Sequence, residues 1–89
     1  HLTECLAEAG IAAGLDERLA LRLARQTIAG AGALVAAAPE EPSTLRENVT
    51  SPGGTTEAAL KVLMGEGGLA DLMRRAVAAA TKRGRELAG

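Results

Sequence analysis

Apolar residues recur along this chain at helical spacing, and no stretch shows the strict alternation of a half-buried strand. From His1 to Ala13, Leu2, Cys5, Leu6, Ala9 and Ala13 fall on one stripe with Glu4 and Glu8 opposite, which predicts an amphipathic helix. It starts without a capping residue, as the second half of a longer helix would. Gly14 ends it, and Asp16, directly after Leu15, is placed to cap the next helix. That helix is expected to run to about Ala38, with Leu19, Ala20, Leu23, Ala24, Thr27, Ile28, Ala31, Leu34 and Val35 on its apolar face. Arg18, Arg22, Arg25 and Gln26 lie on the other face, and Pro39 stops the helix.

A short third helix is expected from Pro42, a favourable first position, to about Asn48. Val49 to Gly54 is the least helical stretch. Thr55 or Thr56 is then expected to cap a fourth helix reaching Met64, with Glu57 and Lys61 at the i,i+4 spacing of an ion pair. Gly65, Gly67 and Gly68 break it. The last helix, Leu69 to about Leu87, has the cleanest stripe: Leu69, Leu72, Met73, Ala76, Val77, Ala80, Gly84 and Leu87. Lys82, Arg83 and Arg85 sit near its C-terminus, where they suit the helix dipole. The stripes hold no strict heptad, so the expected architecture is an all-α bundle of about five helices, not a coiled coil. Gly30 and Gly32 each cost helix 2 about 1 kcal/mol relative to Ala, and close approach by another helix is the usual compensation. A tight crossing is therefore expected there.

Composition sharpens this picture. The chain has 89 residues, 47% of them apolar, with a net charge of −1 and not one Phe, Tyr or Trp, which fits one small globular domain over residues 1–89. Its apolar content is dominated by 20 Ala and 13 Leu, so a core built by this chain alone would be underfilled and a partner surface is expected. The same facts exclude whole classes of function. Without aromatic side chains there is no stacking platform for single-stranded nucleic acid, and a near-neutral charge gives no field for phosphates. One cysteine, Cys5, and one histidine, His1, provide neither an internal disulfide nor a metal cluster. No apolar run approaches the length of a membrane span and no leader pattern is present, so a cytoplasmic protein is expected.

Most motifs have plain readings. Gly30-Ala31-Gly32 lacks the third small residue of a dinucleotide fingerprint, since that position is Val35, and no strand precedes it. Asn48-Val49-Thr50 has the form of a glycosylation acceptor but lacks a secretory context. Arg74, Arg75, Lys82, Arg83 and Arg85 are interspersed with apolar positions, as on a solvated helix face; the competing reading is an adaptor for an acidic partner. Thr50 to Thr56 is different. A Pro-Gly turn enters a helix N-terminus there, gathering backbone N–H groups and hydroxyls, and its glycines let a ligand approach the backbone closely. Such an arrangement suits a carboxylate or phosphate.

The run Leu45-Arg46-Glu47-Asn48-Val49-Thr50-Ser51-Pro52-Gly53-Gly54-Thr55-Thr56, with Ala59-Leu60 and Val62-Leu63, resembles the signature of Δ1-pyrroline-5-carboxylate reductases. Leu6 to Gly10, Gly14-Leu15, Ala24 to Thr27 and Gly30 agree upstream. Gly67 to Leu69, Ala76-Val77, Arg83 and Glu86-Leu87 agree downstream. The resemblance covers essentially the whole chain and only the family's C-terminal helical dimerisation domain, a fold similar to the C-terminal domain of 6-phosphogluconate dehydrogenase. It implies an oxidoreductase of proline biosynthesis that reduces pyrroline-5-carboxylate to L-proline with NADPH or NADH. The cofactor would be bound by an N-terminal Rossmann domain. The helices would interlock with a second subunit in a homodimer, which in some members assembles into larger rings. Within this chain the resemblance implies that Ser51 and the backbone N–H groups of Gly54 and Thr55 hold the substrate carboxylate. The Thr56 hydroxyl would reach the ring nitrogen, orienting the imine and standing ready to assist its protonation. These residues show no βαβ pattern, so no cofactor-binding or metal-binding residue is expected among them. They read as a domain fragment, cut near His1 and inactive alone. The alternative is a non-catalytic oligomerisation or adaptor module that keeps an inherited turn.

Overall fold

The computed structural model describes all residues, 1–89. It contains five α-helices and no strand: α1 (Leu2–Ala12), α2 (Glu17–Ala37), α3 (Pro42–Asn48), α4 (Thr55–Leu63) and α5 (Leu69–Ala88). The helix ends follow the local chemistry of capping. The chain divides into two compact units, His1–Pro42 and Ser43–Gly89.

The first unit is a hairpin of α1 and α2. Gly14, at φ +108°, takes the left-handed position that closes α1. Its N–H donates to the Ile11 carbonyl and that of Leu15 to the Gly10 carbonyl, both at 3.0 Å, the bond pair of a Schellman motif. Asp16 then caps α2 as expected, its Oδ2 accepting from the N–H groups of Arg18 at 3.1 Å and Leu19 at 3.3 Å. At the far end Ala38 is extended before Pro39.

Packing within this hairpin rests on small residues. The buried side chains are Ala7, Ala20 and Ala24, and the flanking Thr3, Gly10 and Ile28 are half-buried. The inner face of α1 thus runs through Thr3, Ala7 and Gly10, whereas Leu2 and Leu6 of the expected apolar stripe stand exposed at its flank. Small residues occupy the line of closest approach because larger side chains would hold the helices apart, and the leucines move to its flanks. Within this chain the tight crossing falls at Gly10. A Cβ on Gly10 would lie 3.3 Å from Leu15 Cδ1 and 3.4 Å from Ala20 Cβ, while one on Gly30 or Gly32 would meet nothing within 4 Å. A short connection brings two helices together near the turn, which is where Gly10 lies. Leu6, Ala9, Gly10, Leu15, Leu23 and Thr27 line an open groove of about 320 Å³ along this hairpin.

In the second unit α3, α4 and α5 are joined by tight turns. Gly67 is left-handed at φ +68° and Gly68 is the N-cap of α5. A Cβ on Gly68 would collide with the Leu63 carbonyl and lie 2.8 Å from the Gly65 carbonyl oxygen, so glycine is required by space alone. None of this unit's side chains is fully buried; Leu45 and Leu60 are half-buried. The stripe of α5 is exposed along its length, from Leu69, Leu72 and Met73 to Val77 and Leu87. Leu34 and Val35 of α2 are equally bare. The shortage of core expected from composition is therefore visible as uncovered aliphatic faces.

Candidate functional site

The segment between α3 and α4 is built by bonds between near neighbours. At the end of α3 the Thr50 hydroxyl donates to the Arg46 carbonyl at 2.6 Å, and the N–H groups of Val49 and Thr50 turn back onto the carbonyls of Arg46 and Glu47. Ser51, Pro52, Gly53 and Gly54 then form a β-turn closed by the Gly54 N–H donating to the Ser51 carbonyl at 3.0 Å. Proline second and a glycine at φ +73° third define it as type II. Gly54 is extended, with φ −85° and ψ 179°. Its lack of a side chain answers to space: a Cβ there would lie 3.1 Å from the Ser51 oxygen.

Gly54, not Thr55 or Thr56, is the N-cap of α4, which corrects the expected cap by one or two residues. The reason is the turn, which ends at Gly54 and delivers it in the extended conformation a cap needs. No side chain caps the helix within its first turn. The Glu57 carboxylate instead reaches back and accepts from the Gly53 N–H at 2.9 Å, while its other oxygen lies 3.7 Å from Lys61 Nζ, the expected ion pair.

These bonds determine which donors remain. The first intrahelical bond of α4 runs from the Ala58 N–H to the Gly54 carbonyl, so the N–H groups of Thr55, Thr56 and Glu57 have no partner in the chain. The Gly54 N–H, one of the two donors implied for a carboxylate, is engaged by Ser51; the other, on Thr55, is free. Ser51 and Thr55 are exposed and Thr56 half-buried, and none of their hydroxyls is bonded within the chain. The turn thus brings Ser51, Gly54, Thr55 and Thr56 together at the positive end of a helix dipole, open to solvent.

Two residues of this region escape a reading of sequence. Glu57 was expected only as the partner of Lys61, although a glutamate at the third position of a helix is a known signal for reach-back capping. Arg46 places Nη1 3.1 Å from Met64 Sδ, tying the end of α3 to the end of α4 across a separation that periodicity cannot reveal.

Other candidate features resolve simply. Arg74 and Arg75 both pair with Asp71, at 2.8 and 3.1 Å, and Arg83 pairs with Glu86 at 3.1 Å, so three of the five basic residues of α5 are ion-paired on their own helix. Gly30 and Gly32 lie inside α2, where helical bonds occupy the backbone N–H groups that a phosphate would need. No three His, Cys, Asp or Glu residues gather as a metal site, and no helix is long and apolar enough to cross a membrane.

A five-helix chain with bare aliphatic faces and one turn rich in free donors defines a helical association module carrying a small polar site. The chain belongs to the pyrroline-5-carboxylate reductase dimerisation family, whose model matches residues 1–87. It is 48% identical over 84 residues to the pyrroline-5-carboxylate reductase of Pisum sativum, covering 94% of this chain and 30% of that protein. With the reductase of Pseudomonas aeruginosa the identity is 42% over 87 residues, covering 98% of this chain and 32% of that protein. Pyrroline-5-carboxylate reductase 1 of Bacillus subtilis shares 38% over 87 residues, covering 98% and 29% respectively. The chain thus spans about 30% of the length of the curated relatives it matches.

Proposed function

We propose that this chain is the dimerisation and substrate-binding domain, residues 1–89, of a cytoplasmic pyrroline-5-carboxylate reductase that forms L-proline. The observation that carries this reading lies inside the family match: the Ser51–Thr56 turn keeps the N–H groups of Thr55 and Thr56 and three hydroxyls unengaged at the start of α4. An openly presented donor cluster favours a binding role over a turn that is merely inherited.

In this reading the substrate carboxylate sits over the N-terminus of α4. The Thr55 N–H and Ser51 hydroxyl donate to it, and Gly54 allows it close to the backbone. The half-buried Thr56 hydroxyl meets the ring nitrogen and fixes which face of the imine is presented. The chain's share of the chemistry is therefore positioning and stabilisation of charge, with no covalent nucleophile. NADPH or NADH supplies the hydride in this reaction, but the residues here do not fit such a cofactor. They contain no strand, and of their two Gly-x-Gly runs Gly30-Ala31-Gly32 is locked inside α2 while Gly65-Glu66-Gly67 follows a helix, α4, instead of the strand a dinucleotide fingerprint requires. The bare faces of α2 and α5 belong, in this reading, to a homodimer in which the same surfaces of two copies cover one another.

The test is Thr56 in the full-length reductase. Thr56→Val should lower turnover by about two orders of magnitude, within the range of losing a positioned proton donor, while Thr56→Ser keeps most of it. Equal kinetics for the two variants would remove the hydroxyl from the mechanism.

A further inference from the structure

We propose that Glu57 is a positioning residue for substrate binding: its carboxylate holds the Ser51–Gly54 turn in the one form that leaves the donors of α4 facing outward. The proposal rests on the reading of this turn as the substrate-carboxylate seat. A glutamate at the third position of a helix ordinarily bonds the N–H of the cap residue. Here that N–H, on Gly54, is already held by the Ser51 carbonyl at 3.0 Å, and the carboxylate reaches one residue further, to Gly53, at 2.9 Å.

That bond selects the turn. Types I and II differ by a flip of the central peptide, here Pro52–Gly53, which sends the Gly53 N–H to the opposite side. Glycine adopts either sign of φ with little preference, so Gly53 itself does not choose between them. The Glu57 carboxylate does, because only the type II form, with Gly53 at φ +73°, points that N–H at Oε2. Lys61, 3.7 Å from the other oxygen, steadies the brace and offsets a negative charge standing beside an anion site. The first unengaged donor is then the Thr55 N–H, where the substrate carboxylate is read to bind.

Steady-state kinetics of the full-length reductase test this, varying pyrroline-5-carboxylate and the nicotinamide cofactor in turn. Glu57→Ala should raise the KM for pyrroline-5-carboxylate about tenfold, the scale of one lost charge-assisted hydrogen bond. The cofactor KM should stay within about twofold, since the donors affected serve the substrate alone. Glu57→Gln keeps a carbonyl acceptor for Gly53 and should recover most of the loss. An unchanged substrate KM in Glu57→Ala overturns the proposal, as does equal impairment of the Ala and Gln variants or a matching rise in the cofactor KM. Gly54→Val, run alongside, separates the two levels of the argument. If it raises the substrate KM and Glu57→Ala does not, only the role of Glu57 fails; if neither does, the turn is not the carboxylate seat and both readings fall.

Discussion

Gly30 and Gly32 offer a test in which the single chain and the assembly predict opposite signs. Both lie in the interior of α2, exposed, and a Cβ on either would meet nothing within 4 Å beyond its immediate neighbours and its own helix backbone. For a chain standing alone, each Gly→Ala change should stabilise the helix by about 1 kcal/mol. If a second copy brings a helix backbone against this face, an added methyl instead costs about 1–3 kcal/mol, as overpacking does elsewhere. In a twofold dimer every substitution occurs twice. Even at about 1 kcal/mol per methyl, one substitution then costs about 2 kcal/mol per dimer, roughly a thirtyfold rise in Kd. Helix propensity largely cancels in that Kd, because α2 is formed in both monomer and dimer. Sedimentation equilibrium of the 89-residue chain, expected to dimerise at micromolar concentration, measures the Kd of Gly30→Ala and Gly32→Ala. Thermal unfolding followed by circular dichroism reports the helix term. Higher melting temperatures with an unchanged or tighter Kd would refute the idea that these glycines admit a partner helix.

Three further outcomes follow from local geometry. Gly68→Ala should destabilise the fold by about 3 kcal/mol, at the upper end for overpacking, because its Cβ meets the Leu63 carbonyl. Gly67→Ala, left-handed but in open space, should cost only about 1–2 kcal/mol, and the reverse order of melting temperatures would contradict the steric reading. Asp16→Ala should lose about 1 kcal/mol in urea denaturation, and Asp16→Asn, which keeps an acceptor for Arg18 and Leu19, should lose little. Leu72→Glu combined with Val77→Glu should leave helical content intact but sediment as monomer, since both side chains are bare on α5. A surviving dimer would take this stripe out of the interface.

The helices and most of their ends were legible in the sequence because capping is a dialogue between near neighbours. Gly14, Asp16, Pro39 and Pro42 act as their chemistry dictates. The cap of α4 was misplaced because the Ser51–Gly54 turn competes for the same residues, and threonine's preference for a cap position yields to a glycine already extended. The inner face of α1 was not legible for a different reason. Hydropathy ranks Leu2 and Leu6 above Ala7 and Gly10, but where two helices come closest it is volume that decides. Gly10, Gly30 and Gly32 all permit close approach, and nothing in a one-dimensional pattern says which of them is met by a helix of the same chain. In the candidate site the segment Thr50 to Thr56 stood out through its residue types, and the family resemblance singled out Ser51, Gly54, Thr55 and Thr56 within it. The engagement of the Gly54 N–H and the reach of Glu57 to Gly53 depend on turn geometry and emerged only with the fold.

Range of interaction separates the parts of this molecule that are complete from those that need covering. The candidate site is held by four short-range bonds: Thr50 to Arg46, Gly54 to Ser51, Gly53 to Glu57, and Lys61 to Glu57. No bond in that set spans more than four residues, so the turn can take its shape wherever α3 and α4 are helical. The stripe of α5 has no such self-sufficiency. Leu69, Leu72, Met73, Val77 and Leu87 are exposed, and an all-aliphatic composition leaves no aromatic ring to cover them. Small side chains resolve the apparent conflict, because Ala and Gly, poor at filling a core alone, let helix backbones come close together. In the dimer proposed here, the second copy supplies the covering surface, while the donors at the start of α4 are already arranged within one chain. Association would then stabilise the helices without having to build the donor cluster at the start of α4.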